Sequence, residues 1–594
     1  MKFRYTYILV TILMAFYFVP VNGQVKNKKA APKKAVPVSQ STAKKLGDAA
    51  AQITQDTSKK SNTKTEGSSL SEEIIVTTQY KPVLADAVKI RRNPDLEDKT
   101  PYKAPLSYTT LDKRLQKDNE IQQLEAMKRP AERDSVPTNN YARAGVGNLK
   151  TTFVEGYFGN GKDEALQVGG YVKHFAQSGT MFEKQNESRN EIGVFGKSIM
   201  AENTLSGRID YRRRGTYFYG FNTDVATPPV FDPQKQTLST ISAEGEIAKN
   251  YRDVENDFTY ALKFKGYVFS NAYQARENNV VLTGFLNKTV KQFYAGMAAS
   301  LDLGTQKDSL YSYNNSLIRL NPYLKLQGDR YKIDAGVNIV KEFGFGNRFF
   351  IFPAAKLEFQ VVPKYIRLFA EAKGDVNKAS IRDFSETNPF IGENIAIKNS
   401  VERLAISVGL KGTLAPGLGF KATVFRNNVK NMAMFVNGFA SDSAGNNKFG
   451  VIYDDGDTRV SGFNGELDFK AGDDLNIFGR VEFRDYQTST EEQAWNLPKF
   501  KLTAGAIIRI SNKVNINGSL LFRGDTKDRF IIQNEVQPVA IKSIVDLNGG
   551  VEYKITKQLS IFAQVNNILN NSNATWLYYN NYGFNIFGGV GYAF

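Results

Sequence analysis

The sequence predicts an all-β chain, a transmembrane antiparallel β-barrel of about 22 strands (about 20 to 24), preceded by a signal peptide and a largely disordered periplasmic tail. Three observations predict it. From about residue 143 onward the chain is a succession of segments, each about ten residues long, in which apolar and polar side chains alternate. Short breaks between them (TKQ, SNK, APG, VPK, GDR) alternate with longer polar ones, around 376 to 397, 429 to 457 and 523 to 542, as tight turns at one membrane face and long loops at the other require. Past the amino-terminal stretch no run reaches the ~18 apolar residues that a membrane helix needs, so a closed barrel is the remaining way to satisfy backbone polar groups in lipid.

Composition agrees with many strands and turns. The 594 residues include Tyr 29, Phe 41 and Gly 48, but Cys 0 and His 1. An exported chain without cysteine has no disulfides and no cysteine-linked lipid. The formal net charge of +17 does not point to nucleic acid, because much of the excess lies in one exported, low-complexity stretch.

Residues 1–23 place Lys2 and Arg4 before the apolar run Tyr5 to Val19, then Val21 and Gly23 before Gln24, the pattern of a cleaved signal peptide; the alternative is an anchoring helix. Residues 24–70 form a disordered lysine-rich linker set among Ala, Ser, Thr and Gln, facing anionic headgroups, an acidic partner or solvent. Residues 71–80 contain a short β-prone run, EEIIVTT. Residues 81–140 are broken by Pro82, Pro94, Pro101, Pro105, Pro130 and Pro137, with one helix expected from about Leu111 to Lys128.

The barrel is expected over 141–594. In KQFYAGMAASLDLG, Phe293, Ala295, Met297, Ala299, Leu301 and Leu303 share one face; in KYIRLFAEAKG, Ile366, Leu368, Ala370 and Ala372 oppose Arg367, Phe369, Glu371 and Lys373. A dozen or more such strands, with no helical segment between them, carry one oily and one wet face each. A soluble sandwich also alternates, but the signal peptide and the aromatic residues near strand ends favour a lipid-facing wall. The last strand, FNIFGGVGYAF, puts Phe584, Ile586, Val590, Tyr592 and Phe594 on one face.

The stretches VNNILNNSNATWLYYNNYGFNIFGGVGYAF, with Asn566, Asn567, Leu569, Trp576 and Tyr578, and LPKFKLTAGAIIRI, with Pro498, resemble late strands of the TonB-dependent receptors of Bacteroidota type. The resemblance covers about Arg143 to Phe594. It implies that Glu73, Ile74, Ile75, Val76 and Thr77 form a TonB box, which pairs edge-on with TonB by strand addition. It also implies that Val590, Tyr592 and Phe594 form the carboxyl-terminal signal read by the barrel-assembly machinery. The chain departs from that family in offering only 81–140 where a receptor has a plug. A lumen this wide cannot be filled by wall side chains alone. Inward loops, the segment 81–140, bulky inward residues such as Tyr294, Phe369, Phe562 and Phe587, or another protein must close it.

Catalytic and metal signals are weak, and no enzyme activity or cofactor is expected. His174, the lone imidazole, reads as a wall residue. Asp454, Asp455 and Asp457 in YDDGDT are weak calcium candidates; the spacing lacks the terminal glutamate of a helix-loop-helix site, so a solvated turn is expected. Arg212 and Arg214 share a strand face opposite Arg213, which is then a headgroup anchor. Two functions fit: solute transport across the outer membrane, with TonB as partner, or a plug-less scaffold within an outer-membrane secretion or barrel-assembly complex with other outer-membrane proteins. Both place the barrel in outer-membrane lipid and the tail in the periplasm.

Overall fold

The structure, a computed structural model, describes residues 140–594 except 161–164, 222–231, 251–257, 291–292, 439–446, 473 and 533–534. The signal peptide, the lysine-rich linker, residues 73–77 and the helix expected near 111–128 therefore lie outside the described residues.

The chain runs up and down. The first strands are β1 (Tyr141–Gly147), β2 (Thr152–Gly159), β3 (Leu166–Ser178), β4 (Asn186–Ile199), β5 (Asn203–Tyr217), β6 (Lys235–Lys249) and β7 (Phe258–Ser270). They are followed by β8 (Arg276–Val290), β9 (Phe293–Lys307), β10 (Ser312–Gln327), β11 (Tyr331–Gly344), β12 (Phe349–Val362) and β13 (Ile366–Asn377). A short helix, α1 (Ile381–Thr387), precedes β14 (Ser400–Ala415), β15 (Leu418–Asn437), β16 (Phe449–Ala471), β17 (Leu475–Gln487), β18 (Phe500–Ser511) and β19 (Val514–Arg523). The hairpin β20 (Thr526–Ile532) and β21 (Glu535–Ile541) leads into β22 (Ile544–Lys554) and β23 (Leu559–Asn566). The small pair β24 (Ala574–Trp576) and β25 (Tyr579–Asn580) precedes β26 (Asn585–Ala593).

All but the two small hairpins join one 22-stranded sheet. It closes on itself because β1 pairs with both β2 and β26, Tyr141 opposite Tyr157 on one side and Ala593 on the other. At this seam Gly589 lies so close to β1 that a Cβ would stand 1.8 Å from the Ala144 carbonyl oxygen, so only glycine fits.

The period-two pattern dictates the two faces. On β9 the side chains of Phe293, Met297, Leu301 and Leu303 are exposed, whereas Ser300, Asp302 and Gln306 are buried. Phe293 to Leu303 spans roughly 34 Å along the strand at ~3.4 Å per residue; a tilt of ~40° makes that about 26 Å of height, close to the ~25 Å apolar band of membrane barrels. Exposed Phe258, Phe293, Tyr331, Tyr365, Tyr553, Tyr592 and Phe594 stand near one rim, an aromatic girdle. Among the described residues no helix is long and apolar enough to cross a membrane.

The inner face is held by cross-strand ion pairs. Glu191 faces Arg212 at 3.2 Å, Glu244 faces Lys265 at 3.0 Å, Glu246 faces Lys263 at 3.7 Å and Glu466 faces Arg480 at 3.2 Å. Each pair is directly opposite in the ladder, where unlike charges stabilise a sheet by roughly 0.2–1 kcal/mol.

Two expectations need correction. The barrel does carry a helix between strands, because Ser380 caps α1 by accepting from the Asp383 amide at 3.2 Å. The stretch 429 to 457 is mostly ladder rather than loop: β15 and β16 pair from Leu418 opposite Phe469 to Asn437 opposite Phe449, with a register shift between Lys430 and Met432. The outer part of this hairpin is apolar on both faces, Met434 and Val436 packing with Trp495 while Phe435, Phe449 and Val451 join a second buried cluster, so no single oily side marks the strand.

Candidate functional site

The two rims of the barrel differ in kind. One, the turn end, is made of tight connections such as 200–202, 328–330, 363–365 and 416–417. The other, the loop end, carries 218–234, 378–399, 438–448, 488–499, 524–543 and 567–584. Parts of these long loops fold inward and form a cap.

The cap is an apolar cluster that includes Phe218, Tyr219, Phe390, Phe449, Trp576 and Tyr579, all buried. The Phe390 and Tyr579 rings stack at 3.6 Å between centroids, and Tyr219 meets Tyr579 edge-on at 5.1 Å. Trp576 is wedged edge-on between Phe435 at 5.4 Å and Phe449 at 5.5 Å. Aromatic pairs of this kind add about 0.5–1.5 kcal/mol each beyond their burial.

Polar contacts fix the loop 378–399 across the mouth. Glu277 on β8, itself buried, accepts from the Ser380 hydroxyl and from the Arg382 amide, both at 3.0 Å. Lys378 pairs with Asp302 on β9 at 2.5 Å, and Gln306 donates to the Ala379 carbonyl at 2.6 Å. At the far end of the loop the Phe449 amide donates to the Phe390 carbonyl at 2.8 Å, and the Gly392 amide to the Phe449 carbonyl at 2.9 Å. The Tyr579 hydroxyl donates to the Asn447 carbonyl at 2.5 Å, and the Tyr219 hydroxyl to the Asn580 carbonyl at 3.0 Å. Burial pushes both phenols upward, so they stay neutral donors. One loop thus links the β8–β9 wall to the loop that precedes β26.

Beside the cap lies a cavity of about 120 Å³, lined by Glu187, Arg214, Phe390, Asn548, Trp576 and Tyr579 among others. Its wall side carries the 2.8 Å pair Arg214–Glu187, and its cap side carries the aromatic rings.

The residues singled out in the sequence are dispersed. Val590, Tyr592 and Phe594 are exposed on the outer face of the last strand and just past it. Asp454, Asp455 and Asp457 lie on β16, not in a turn, and each is engaged. Asp454 accepts from the Ser489 and Thr490 amides at 2.8 and 2.6 Å, Asp455 pairs with Lys398, and Asp457 pairs with Arg403 at 2.8 Å. Among the described residues no group of three or more His, Cys, Asp or Glu gathers as a metal site. His174 lies between the Thr152 hydroxyl at 3.0 Å and the Asn190 side chain at 2.7 Å, with no carboxylate in this trio. Arg212 and Arg214 pair inward with Glu191 and Glu187, and Arg213 is exposed on the outer face. Phe369, Phe562 and Phe587 are buried on the inner wall, and Tyr294 is half-buried on it.

The cap residues were not singled out as a site by sequence. The runs FYGF at 218–221 and TWLYY at 575–579 are aromatic stretches inside breaks that a solvated loop would fill with polar residues, and that mismatch is the signal that marks them.

No family model and no curated protein matches the sequence. Solved structures do match in fold. The ferric-catecholate import receptor Fiu of Escherichia coli K12 has a TM-score of 0.58 at 10% identity, over 77% of this chain and 82% of that one. The FrpB iron transporter of Neisseria meningitidis gives 0.58 at 9% identity, over 77% and 81%. The ferripyoverdine receptor of the outer membrane of Pseudomonas aeruginosa gives 0.52 at 12% identity, over 77% and 72%. At these identities the likeness is one of fold: the chain has the closed 22-stranded barrel of such receptors, as its resemblance to TonB-dependent receptors implied.

Proposed function

We propose that this protein is an outer-membrane transport receptor whose solute crosses the lumen when the loop cap rearranges, with residues 73–77 engaging TonB from the periplasm. The observation that carries the proposal is a wide, ion-pair-lined barrel of receptor architecture whose mouth is occluded by its own loops. A route that is polar inside and closed at rest needs an input of work to open, and strand addition at 73–77 is a way to deliver it. Val590, Tyr592 and Phe594 would serve assembly rather than transport. Solute identity would be set by the loops, where binding surfaces concentrate.

The test is deletion of residues 72–78 in cells. Transport predicts the same growth defect as loss of TonB, whereas a silent deletion beside a harmful loss of the whole barrel overturns it.

The density of the cap favours a second reading. Stacked rings with their hydroxyls bonded to loop carbonyls make a rigid closure, which suits a barrel serving as a scaffold in a larger outer-membrane assembly. That reading predicts stoichiometric membrane partners when the intact protein is purified in mild detergent, and a monodisperse single chain contradicts it.

A further inference from the structure

The outer face of β3 to β10 carries a continuous polar row. Ladder partners run His174–Asn190, Asn190–Arg213, Arg213–Ser239, Ser239–Ser270, Ser270–Arg276, Arg276–Lys307 and Lys307–Ser312. On β4 to β7 this residue is the first polar one on the loop side of exposed apolar neighbours: Ile192 on β4, Ile209 and Tyr211 on β5, Ile241 on β6, Val268 on β7. On β8 and β9 it stands one outward position higher, beyond Asn278 and Thr305.

Three members of the row are cations, and all three are exposed. Arg276 and Lys307 are direct ladder partners, a like-charge pair that a sheet ordinarily avoids. Among the described residues none of the Arg213, Arg276 and Lys307 side chains makes a hydrogen bond or ion pair. The outward positions of β4 to β9 contain no carboxylate at all. The same strands pair their inward cations with acids, and elsewhere outward cations are paired too, Arg403 with Asp457 at 2.8 Å and Lys499 with Asp485 at 3.2 Å.

We infer that Arg213, Arg276 and Lys307 bind the phosphate headgroups of anionic lipid in the leaflet on the loop side. A shared phosphate between Arg276 and Lys307, whose Cβ atoms stand about 5 Å apart, turns their repulsion into two attractions. Arg213 lies three strands from Arg276, about 14 Å at ~4.8 Å per strand, within reach of a second headgroup. The apolar band, directly below Arg213 and one polar position (Asn278, Thr305) below Arg276 and Lys307, supplies the acyl-chain surface, which a free phosphate ion would not use.

The full chain in nonionic detergent, titrated with dioleoyl phosphatidic acid or dioleoyl phosphatidylcholine and read by native mass spectrometry, tests this. Phosphatidic acid is expected to be retained in preference, with roughly fivefold lost per cation removed, so that Arg213→Gln, Arg276→Gln and Lys307→Gln together abolish the preference. Arg403→Gln is expected to change nothing. Single Arg276→Gln and Lys307→Gln variants, checked for heat-modifiable migration on gels, keep the test valid if the triple variant does not assemble. Equal retention of both lipids by the native protein, undiminished retention by the variants, or displacement by excess inorganic phosphate would each overturn the proposal.

Discussion

The loop end and the turn end of this barrel are built from the same strands yet do opposite things with apolar surface. At the turn end the exposed aromatics Phe293, Tyr331, Tyr553 and Phe594 point outward, toward lipid headgroups. At the loop end Phe390, Phe449, Trp576 and Tyr579 are drawn into the mouth and packed on one another. Long connections make the difference, because a tight turn cannot carry side chains across the lumen, whereas 378–399 can reach from β8 to the loop before β26. Closure of the lumen among the described residues is therefore a property of loops, and loops of this kind can be loosened without dismantling the wall.

Both tryptophans, Trp495 and Trp576, are buried at the loop end, so tryptophan fluorescence reports on this end alone. The largest effect is expected from truncating the central stack. Phe390→Ala should cost the cap about 3–5 kcal/mol and red-shift Trp576 emission, with the strand content seen by circular dichroism unchanged. An unshifted spectrum would mean that the cap does not depend on that contact. Next in size, Glu277→Gln keeps the shape but leaves an amide nitrogen facing donors, either Ser380 and Arg382 or Tyr267 and Gln306, at a cost of about 1–3 kcal/mol. Faster hydrogen exchange is expected in 378–392, with the turn end unaffected.

The smallest effect concerns pH. Asp528 in β20 is buried, which pushes its carboxyl up to about 6 despite hydrogen bonds from the Asn437 and Arg529 amides at 3.1 and 2.7 Å. The fold therefore favours the protonated form. The stability this group confers is fully present below the unfolded value of about 4 and is lost as pH rises through about 6. Emission of Trp495, which packs against Met434 and Val436 at the same end of β15, should show a loosening between pH 4 and 7 that Asp528→Asn removes. An unchanged profile in that variant would assign the titration elsewhere.

The wall was legible because lipid on one side and water on the other impose strict alternation, and that alternation survives in a single sequence. Phe293 to Leu303 and Ile366 to Ala372 face as their spacing requires, and the seam strand β1 begins where the alternation does. The cap was not legible in the same way. Its residues are drawn from separate loops, 218–234, 378–399 and 567–584 among them, and from strand ends such as Phe435 and Phe449, without common periodicity, and inward loops were one of several ways to close the lumen. The Asp454 segment misled for a related reason: its buried positions are polar, Asp454 and Thr458 being covered by the loop at 489–490, so YDDGDT lacks the apolar alternation that betrays a ladder. His174 and Arg213 were read correctly as wall residues, but only the register shows that they share one row.

Single-channel recording in planar bilayers tests the central claim most directly, comparing the native barrel with one in which residues 379–398 are replaced by a short Gly-Ser linker. The native protein is expected to stay electrically silent, and the shortened one to show steady, large openings, as a 22-stranded lumen without its cap should. Steady openings in the native protein, or silence after the replacement, would contradict a lumen held shut by its own loops.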